Sequence, residues 1–365
     1  MKRLLIIAGG TGGHIFPALV IARALRERGI ETHWLGTRGG LEQQLVPNDI
    51  PISFISIKAL RGKGWLRKIT MPFRLLYAVW QAVLVIRQLR PDVVLGMGGY
   101  VSGPGAIAAW ISRVPLVIHE QNSIAGLTNR FLAKMAKSVL QGFPNTFPHQ
   151  PNVITTGNPV RKELISVPIP EERLAERLGP LRILVLGGSQ GARPLNERML
   201  SALNDYPKKN EIIVWHQTGQ ADYERVKAAY EKIPIESKVA PFIQDMASAY
   251  AWADLIICRA GALTVSEIAA VGVASVFVPY PFAVDNHQFH NSRQLEQAGA
   301  AVIVTEDLLT KERLIELFQQ FSHDRNRLLE MAISARQFSQ PKAADHVIAE
   351  CEKISSEYGS EHDIG

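Results

Sequence analysis

Leu4-Leu5-Ile6-Ile7-Ala8, followed by Gly9-Gly10-Thr11-Gly12-Gly13-His14, is the stretch on which the fold turns. Five apolar residues in a row, without alternation, read as a strand buried on both faces, and glycines end it at once. Residues 16–28 then read as a helix, with Pro17 in its first turn and Gly29 after its end. A second strand is expected over 32–35. Strand, glycine loop, helix and strand begin a parallel sheet covered on both sides. Val93-Val94-Leu95 and Leu116-Val117-Ile118 are further strand candidates, each running into a polar or Gly-rich loop.

The order restarts near residue 181. Strands are expected over 182–186, 212–216, 254–258 and 276–278, with a helix from about residue 194. Ile6-Ile7-Ala8-Gly9-Gly10 answers to Val185-Leu186-Gly187-Gly188, and Pro91-Asp92-Val93-Val94-Leu95 to Ala253-Asp254-Leu255-Ile256-Ile257. Two doubly wound α/β domains in tandem explain this repetition. Their join is expected between residues 159 and 180, where Pro168, Pro170 and Pro180 cluster, and residues 359–365 read as a loose tail. Such sheets bind ligands at the carboxyl ends of their strands, where both glycine loops lie. A cleft between two facing domains, suited to a two-substrate reaction, is the expectation.

Composition agrees. A chain of 365 residues has room for two domains, and 47% hydrophobic against 20% charged residues excludes a disordered protein. Two cysteines, Cys258 and Cys351, exclude a disulfide scaffold and a Cys-rich zinc module and fit a reducing compartment. A net charge of +6 suits an anionic partner: a phosphorylated ligand, nucleic acid or acidic lipid. No interleaved basic–aromatic motif or helix-turn-helix signature favours nucleic acid. Residues 4–8 are too short for the apolar core of a signal peptide. The run over 75–86, broken only by Gln81, is too short to span a bilayer. The chain is expected to be soluble or peripheral, and cytoplasmic.

Gly9 to His14 is neither a dinucleotide fingerprint nor a P-loop, since Ile15 stands at the third glycine position and no G-x-x-x-x-G-K-[ST] occurs. It is either a tight turn or a site where backbone meets ligand at a helix N-terminus. His14 is a capping histidine or a general base, which the helix N-terminus would keep neutral. His119-Glu120-Gln121-Asn122 ends a strand, and His119 and Glu120 are rival base candidates. Gly98-Gly99-Tyr100-Val101-Ser102-Gly103-Pro104 is another Gly-rich strand-to-helix junction. In the second half, the loop around Ser189 has backbone N–H groups and a hydroxyl suited to phosphate, and Arg161 stands where it can reach a diphosphate. Glu267, near a helix start, is a dipole partner or a carboxylate for sugar hydroxyls. Asp285-Asn286-His287-Gln288 is a polar loop suited to hydroxyls. No D-x-D or H-E-x-x-H motif occurs, so no metal is expected. Lys63, Trp65, Arg67 and Lys68 are the expected lipid contacts, while most of 75–86 is expected to pack on the sheet.

GGTGGH (9–14), GMGGYVSGP (96–104), HEQN (119–122), GNPVR (157–161), GGSQGA (187–192) and CRAGALTVSEIAA (258–270) occur in an order that resembles the MurG family over roughly residues 2–350. These are peripheral transferases that add N-acetylglucosamine to undecaprenyl-diphosphoryl-muramoyl-pentapeptide (lipid I) on the cytoplasmic side of the inner membrane, making lipid II. The resemblance implies a GT-B fold. Residues 1–162 would form the acceptor and membrane-docking domain, with a helix at about 337–358 packing back on it, and 163–336 the donor domain. It implies UDP-N-acetylglucosamine as donor, and no cofactor. Thr11, Gly12, Gly13, Asn122, Arg161 and Ser189 would contact the donor, and Ile243 would meet uracil through its backbone. Ala262, Leu263, Thr264, Val265, Ser266 and Glu267 would line diphosphate and ribose, with Glu267 on the ribose. Gln288 would hold the sugar, although His287 stands where the family places a second glutamine. Tyr100 falls on the acceptor and membrane side. The alternatives are a UDP-N-acetylglucosamine 2-epimerase, which shares the architecture, and a non-catalytic, membrane-docked UDP-sugar sensor.

Overall fold

In the computed structural model, which describes residues 1–57, 65–188 and 191–362, the strands lie in two wholly parallel sheets. The first sheet holds β1 (Arg3–Ala8), β2 (Glu31–Thr37), β3 (Ile52–Ile55), β4 (Val93–Gly98), β5 (Leu116–Glu120), β6 (Ser138–Gln141) and β7 (Val153–Thr155), in the order β3-β2-β1-β4-β5-β6-β7. The second holds β8 (Leu181–Leu186), β9 (Ile212–Gln217), β10 (Glu236–Ala240), β11 (Leu255–Cys258), β12 (Ala274–Phe277) and β13 (Ala301–Ile303), in the order β10-β9-β8-β11-β12-β13. In each the winding reverses beside the first strand, between β1 and β4 and between β8 and β11. These are the switch points where doubly wound sheets open a crevice.

Met1–Pro159 and Gln340–Gly365 make one unit, and Val160–Ser339 the other. In the first unit both sides of the sheet are covered. Leu4, Ile6 and Ala8 pack with Ile15, Ala18 and Leu25 of the helix Gly12–Glu27 and with Val347, Ile348, Cys351 and Ile354 of the helix Ala343–His362. Leu5 and Ile7 face the other way, onto Ala78, Ala82 and Ile86 of the helix Trp65–Leu89 and Ala106, Ala108 and Ala109 of the helix Ser102–Ile111. Burial of alternate residues on opposite faces is why the run carries no polar residue.

The helix after β1 starts at Gly12, not at residue 16, because the His14 and Ile15 amides already bond to Thr11 O at 3.1 and 3.2 Å. Pro17 therefore stands in its second turn. The last helix runs on to His362, four residues into the expected tail. The helix Trp65–Leu89 is twice the expected length, and only one face of it is core. Phe73, Leu76, Tyr77, Trp80 and Leu84 lie along its exposed side at 71, 66, 51, 56 and 45% exposure. Trp110 and Ile111, from the helix packed beside it, are exposed as well.

In the second unit, Asp254 fixes the start of the sheet. Its buried carboxylate accepts from Arg177 at 2.8 Å, Arg325 at 2.7 Å and the Arg182 amide at 3.0 Å. Arg173 and Arg177 also donate to carbonyls at the end of the helix Met246–Trp252. Removing the carboxylate strands partly buried guanidinium groups, so Asp254→Ala is expected to cost about 3 kcal/mol. A lowered urea midpoint with an unchanged slope checks this.

Candidate functional site

At the β1/β4 switch point the two loops touch through backbone alone. Gly99 has φ +88°, and a Cβ there would stand 2.1 Å from the Gly9 carbonyl oxygen. The Gly9 amide donates to Gly98 O at 3.3 Å. The His14 ring lies on Gly98, where a Cβ would come within 2.5 Å of Nδ1. His14 is half-buried in the first turn of its helix, and its Nδ1 is 3.1 Å from Gln121 Oε1. Its Nε2 has no hydrogen-bond partner among the described residues. Thr11 and Gly13 are exposed, Gly12 is half-buried, and the exposed Tyr100 ring borders Gly10. His14, the glycine loop and Tyr100 thus come together, with Gln121 beneath.

His119 and Glu120 are placed differently. His119 is fully buried, and its Nε2–H donates to Gly157 O at 3.0 Å. Its Nδ1 is buried with no partner among the described residues. Burial pulls its pKa below the usual value, with the Gly157 carbonyl opposing. Glu120, also buried, accepts from Asn122 N at 3.0 Å, Asn122 Nδ2 at 3.1 Å, Gly126 N at 3.1 Å and Asn129 Nδ2 at 2.8 Å. It ties down the loop that carries the half-buried Asn122. A second buried carboxylate, Glu42, accepts from Thr37 N, Thr37 Oγ1 and Gly10 N at 2.7, 2.6 and 3.2 Å. Sequence reasoning passed over Glu42. Its signal was the crowd of glycines (9, 36 and 40) on which its side chain packs.

In the second unit, Arg161 and Glu267 meet: Nη2 lies 2.9 Å from Oε1, and the other carboxylate oxygen accepts from the buried Tyr250 hydroxyl at 3.1 Å. Burial raises the Glu267 carboxyl above the ordinary glutamate value, while Arg161 and the Tyr250 hydroxyl pull it down. Tyr250 was not foreseen; it sits one helix away in space and carries no motif. Ile243 is buried, and its N–H donates to Gln217 Oε1 at 2.9 Å, while Gln217 Nε2 donates to Gly188 O at 3.2 Å. One glutamine thereby links the Ile243 backbone to the loop leading to Ser189, which lies outside the described residues. The helix Ala262–Val271 begins behind Gly261 and the helix Arg193–Asp205 behind Ala192. Neither cap residue makes a side-chain bond and neither first turn holds an acidic residue, so both N-termini suit an anion. Ala262 and Val265 are buried, and Leu263, Thr264 and Ser266 are half-buried. Gln288 Oε1 accepts from Tyr280 N at 2.9 Å, so the bond engages the oxygen of its amide and not the N–H groups. The preceding Asp285 and Asn286 both adopt left-handed φ, 52° and 51°, an uncommon conformation for a pair of non-glycine residues.

Lys63 lies outside the described residues, while Trp65, Arg67 and Lys68 belong to the first turn of the helix Trp65–Leu89. No helix among the described residues is long and apolar enough to cross a membrane. Among the same residues no three His, Cys, Asp or Glu side chains gather as a metal site.

Residues 4–141 match the Glycosyltransferase family 28 N-terminal domain and residues 182–347 the Glycosyltransferase family 28 C-terminal domain. A protein of Coxiella burnetii (strain RSA 331 / Henzerling II) is 65% identical over 354 residues, covering 97% of this chain and 99% of its own length. It is named UDP-N-acetylglucosamine--N-acetylmuramyl-(pentapeptide) pyrophosphoryl-undecaprenol N-acetylglucosamine transferase. A protein of the same name from Marinobacter nauticus is 51% identical over 96% of this chain and 97% of its own. Among solved structures, Acinetobacter baumannii MurG superposes with a TM-score of 0.83 at 44% identity, covering 97% of this chain and all of that one. With two parallel α/β units in the GT-B manner, and whole-length relatives of one name, the chain belongs to glycosyltransferase family 28.

Proposed function

We propose that the chain moves N-acetylglucosamine from UDP-N-acetylglucosamine to the C4 hydroxyl of the muramoyl sugar of lipid I, giving lipid II and UDP in peptidoglycan biosynthesis. Likeness over 97% of the chain to relatives named for that transfer carries the reading. The chemistry of the two switch points supports it.

The donor belongs to the Val160–Ser339 unit. Its diphosphate meets the free N-termini of the helices Arg193–Asp205 and Ala262–Val271, helped by Ser189 and Arg161, with Ala262 to Ser266 alongside. Glu267 accepts from ribose hydroxyls, the Ile243 backbone meets uracil and the Gln288 amide holds the sugar. Thr11, Gly12, Gly13 and Asn122 are further donor contacts, and Tyr100 serves the acceptor. His14 is the base. Its Nε2 lone pair takes the proton of the C4 hydroxyl while that oxygen bonds to the anomeric carbon. The bond from that carbon to the phosphate oxygen breaks, its electron pair leaves with UDP, and the configuration inverts to a β-1,4 link. His119 and Glu120 hold structure instead, because both are buried with their polar atoms directed inward.

The exposed apolar face of the helix Trp65–Leu89, together with Trp110 and Ile111, docks the protein on the anionic cytoplasmic face of the inner membrane. The acceptor's lipid tail holds it in that membrane. Cell shape and division depend on the product as wall material.

UDP release is expected only when a lipid I analogue is present, with a product one N-acetylhexosamine heavier; conversion of the donor alone would instead mark an epimerase. His14→Ala is expected to lower kcat by about tenfold or more with donor affinity kept. Wild-type turnover in that variant would remove His14 as the base. As pH falls through the raised Glu267 value, the carboxylate gains a proton and loses acceptor capacity. Donor KM should therefore climb at a pH above the ordinary glutamate range, and Glu267→Gln should raise KM at neutral pH and abolish the climb. Leu76→Ser with Trp80→Ser should weaken sedimentation with phosphatidylglycerol vesicles by on the order of tenfold or more, with turnover on a water-soluble acceptor unchanged.

A further inference from the structure

We propose that Gln121 is a positioning residue that sets the tautomer of His14 from an anchor on a strand bulge. The inference rests on His14 being the base. Gln121 follows β5 and is 2% exposed. Its amide sits between two groups that leave it one orientation. The Met97 carbonyl, 2.8 Å away, can only accept, so it faces Nε2. Oε1 then faces His14 Nδ1 at 3.1 Å, and an amide oxygen also only accepts. The proton of neutral His14 must be on Nδ1, which places the lone pair on Nε2. That nitrogen has no partner among the described residues, and a base works through such a lone pair. A histidine free in water favours the opposite form, with the proton on Nε2, so the contact inverts the ordinary balance.

The anchor exists because the sheet is irregular at this point. The β1/β4 register steps from Ile7 beside Gly96 to Ala8 beside Gly98, leaving Met97 out of step. A bulge of this kind takes a backbone group out of the ladder and re-aims it. The Met97 carbonyl binds the Gln121 amide, and the next residue, Gly98, gives the His14 ring its seat. Asn158 Nδ2 donates to Gln121 O at 3.0 Å and holds the glutamine from its backbone side. Gln121 and Gly98 thus touch the imidazole itself, while Met97 and Asn158 act on it through Gln121. The amide also sets the tautomer without placing a charge beside the ring. His119, two residues before Gln121, has the proton on Nε2 and an enclosed Nδ1, the reverse of what a base needs.

The test uses the full chain with ¹⁵N-labelled histidine, read by long-range ¹H–¹⁵N NMR on the alkaline side of the imidazole titration. The His14 signals are identified by their loss in His14→Ala. The expected spectrum has a protonated Nδ1 and a bare Nε2. Gln121→Met keeps the length and removes the acceptor. It should turn most of His14 to the Nε2–H form and lower kcat about tenfold, with donor KM within about twofold. A general loss of structure would move donor KM as well. The spectrum of the unsubstituted protein decides the tautomer whether or not Gln121→Met folds. Nε2–H in that spectrum, or a tautomer indifferent to Gln121→Met, overturns the proposal. So does full turnover of Gln121→Met beside an inactive His14→Ala. A tautomer switch with both variants at full turnover upholds the contact and overturns His14 as base, so the two failures are distinguishable.

Discussion

Two backbones in contact at a switch point govern the first unit. The Gly9 carbonyl lies where a Cβ of residue 99 would be, and the interior around it is too dense to yield by the ångström that a side chain would need. That approach lets β1 end against β4 with a bulge rather than a clean ladder. The bulge turns the Met97 carbonyl toward Gln121, and Gly98, left without a side chain, becomes the floor under His14. The second unit repeats the constraint with other atoms. A Cβ on Gly191 would stand 2.3 Å from the Thr218 carbonyl oxygen, so the loop after β8 is pressed onto the end of β9. Glycine at positions 99 and 191 is required by contact between backbones.

Buried carboxylates do the remaining work of holding loops. Glu42 has three donors and Glu120 four; those of Glu120 are backbone and amide groups of the segment that follows it, while those of Glu42 include the Thr37 hydroxyl and the Gly10 amide of another loop. Hydrogen bonds to a charged group contribute about 1.5–3 kcal/mol each, enough together to offset burial of the carboxylate. Glu267 is different, because its partners are a guanidinium and a phenol, which leave acceptor capacity on the carboxylate for a ligand's hydroxyls. Number and kind of donors therefore separate a carboxylate that organises a loop from one that can serve a ligand. The distinction is invisible in a motif such as HEQN, where acid and amide stand side by side.

The central strands were legible because they are buried on both faces: β1, β4 and β8 read as apolar runs that meet glycine, and β11 as an apolar run ending at Cys258 with Gly261 three residues on. The outer strands were not. β10 exposes Glu236, Ser237 and Lys238, while β7 and β13 have three residues each, too few for a period to declare itself. The helix Trp65–Leu89 misled for the opposite reason. Over residues 75–86 it is apolar on nearly every side, and nothing in an apolar residue says whether it faces core or solvent. Site residues on loops next to the central strands were found by motif. Glu42, Tyr250 and Gln217 were missed because they reach the site through space, from elements whose local sequence has its own structural explanation.

The two halves repeat a fold yet divide its electrostatics. In the first unit the Gly9 and Gly10 amides point inward, one to Gly98 O and the other to Glu42, so the loop already has an anion of its own beneath it. A diphosphate placed there would meet a buried carboxylate that, among the described residues, has no ion-pair partner. In the second unit the helix N-termini after Ala192 and Gly261 have no acidic residue in their first turns, and Arg161 stands close by, paired with Glu267. The helix Gly12–Glu27 also lacks an acidic residue in its first turn, so the first loop differs chiefly in that Glu42 takes the Gly10 amide. In the first unit the contact of the His14 ring with Gln121 adds no charge beside that ring. Duplicated backbone geometry thus carries two different local electrostatics, and the difference lies in whether a glycine loop's amide is taken by the protein's own carboxylate.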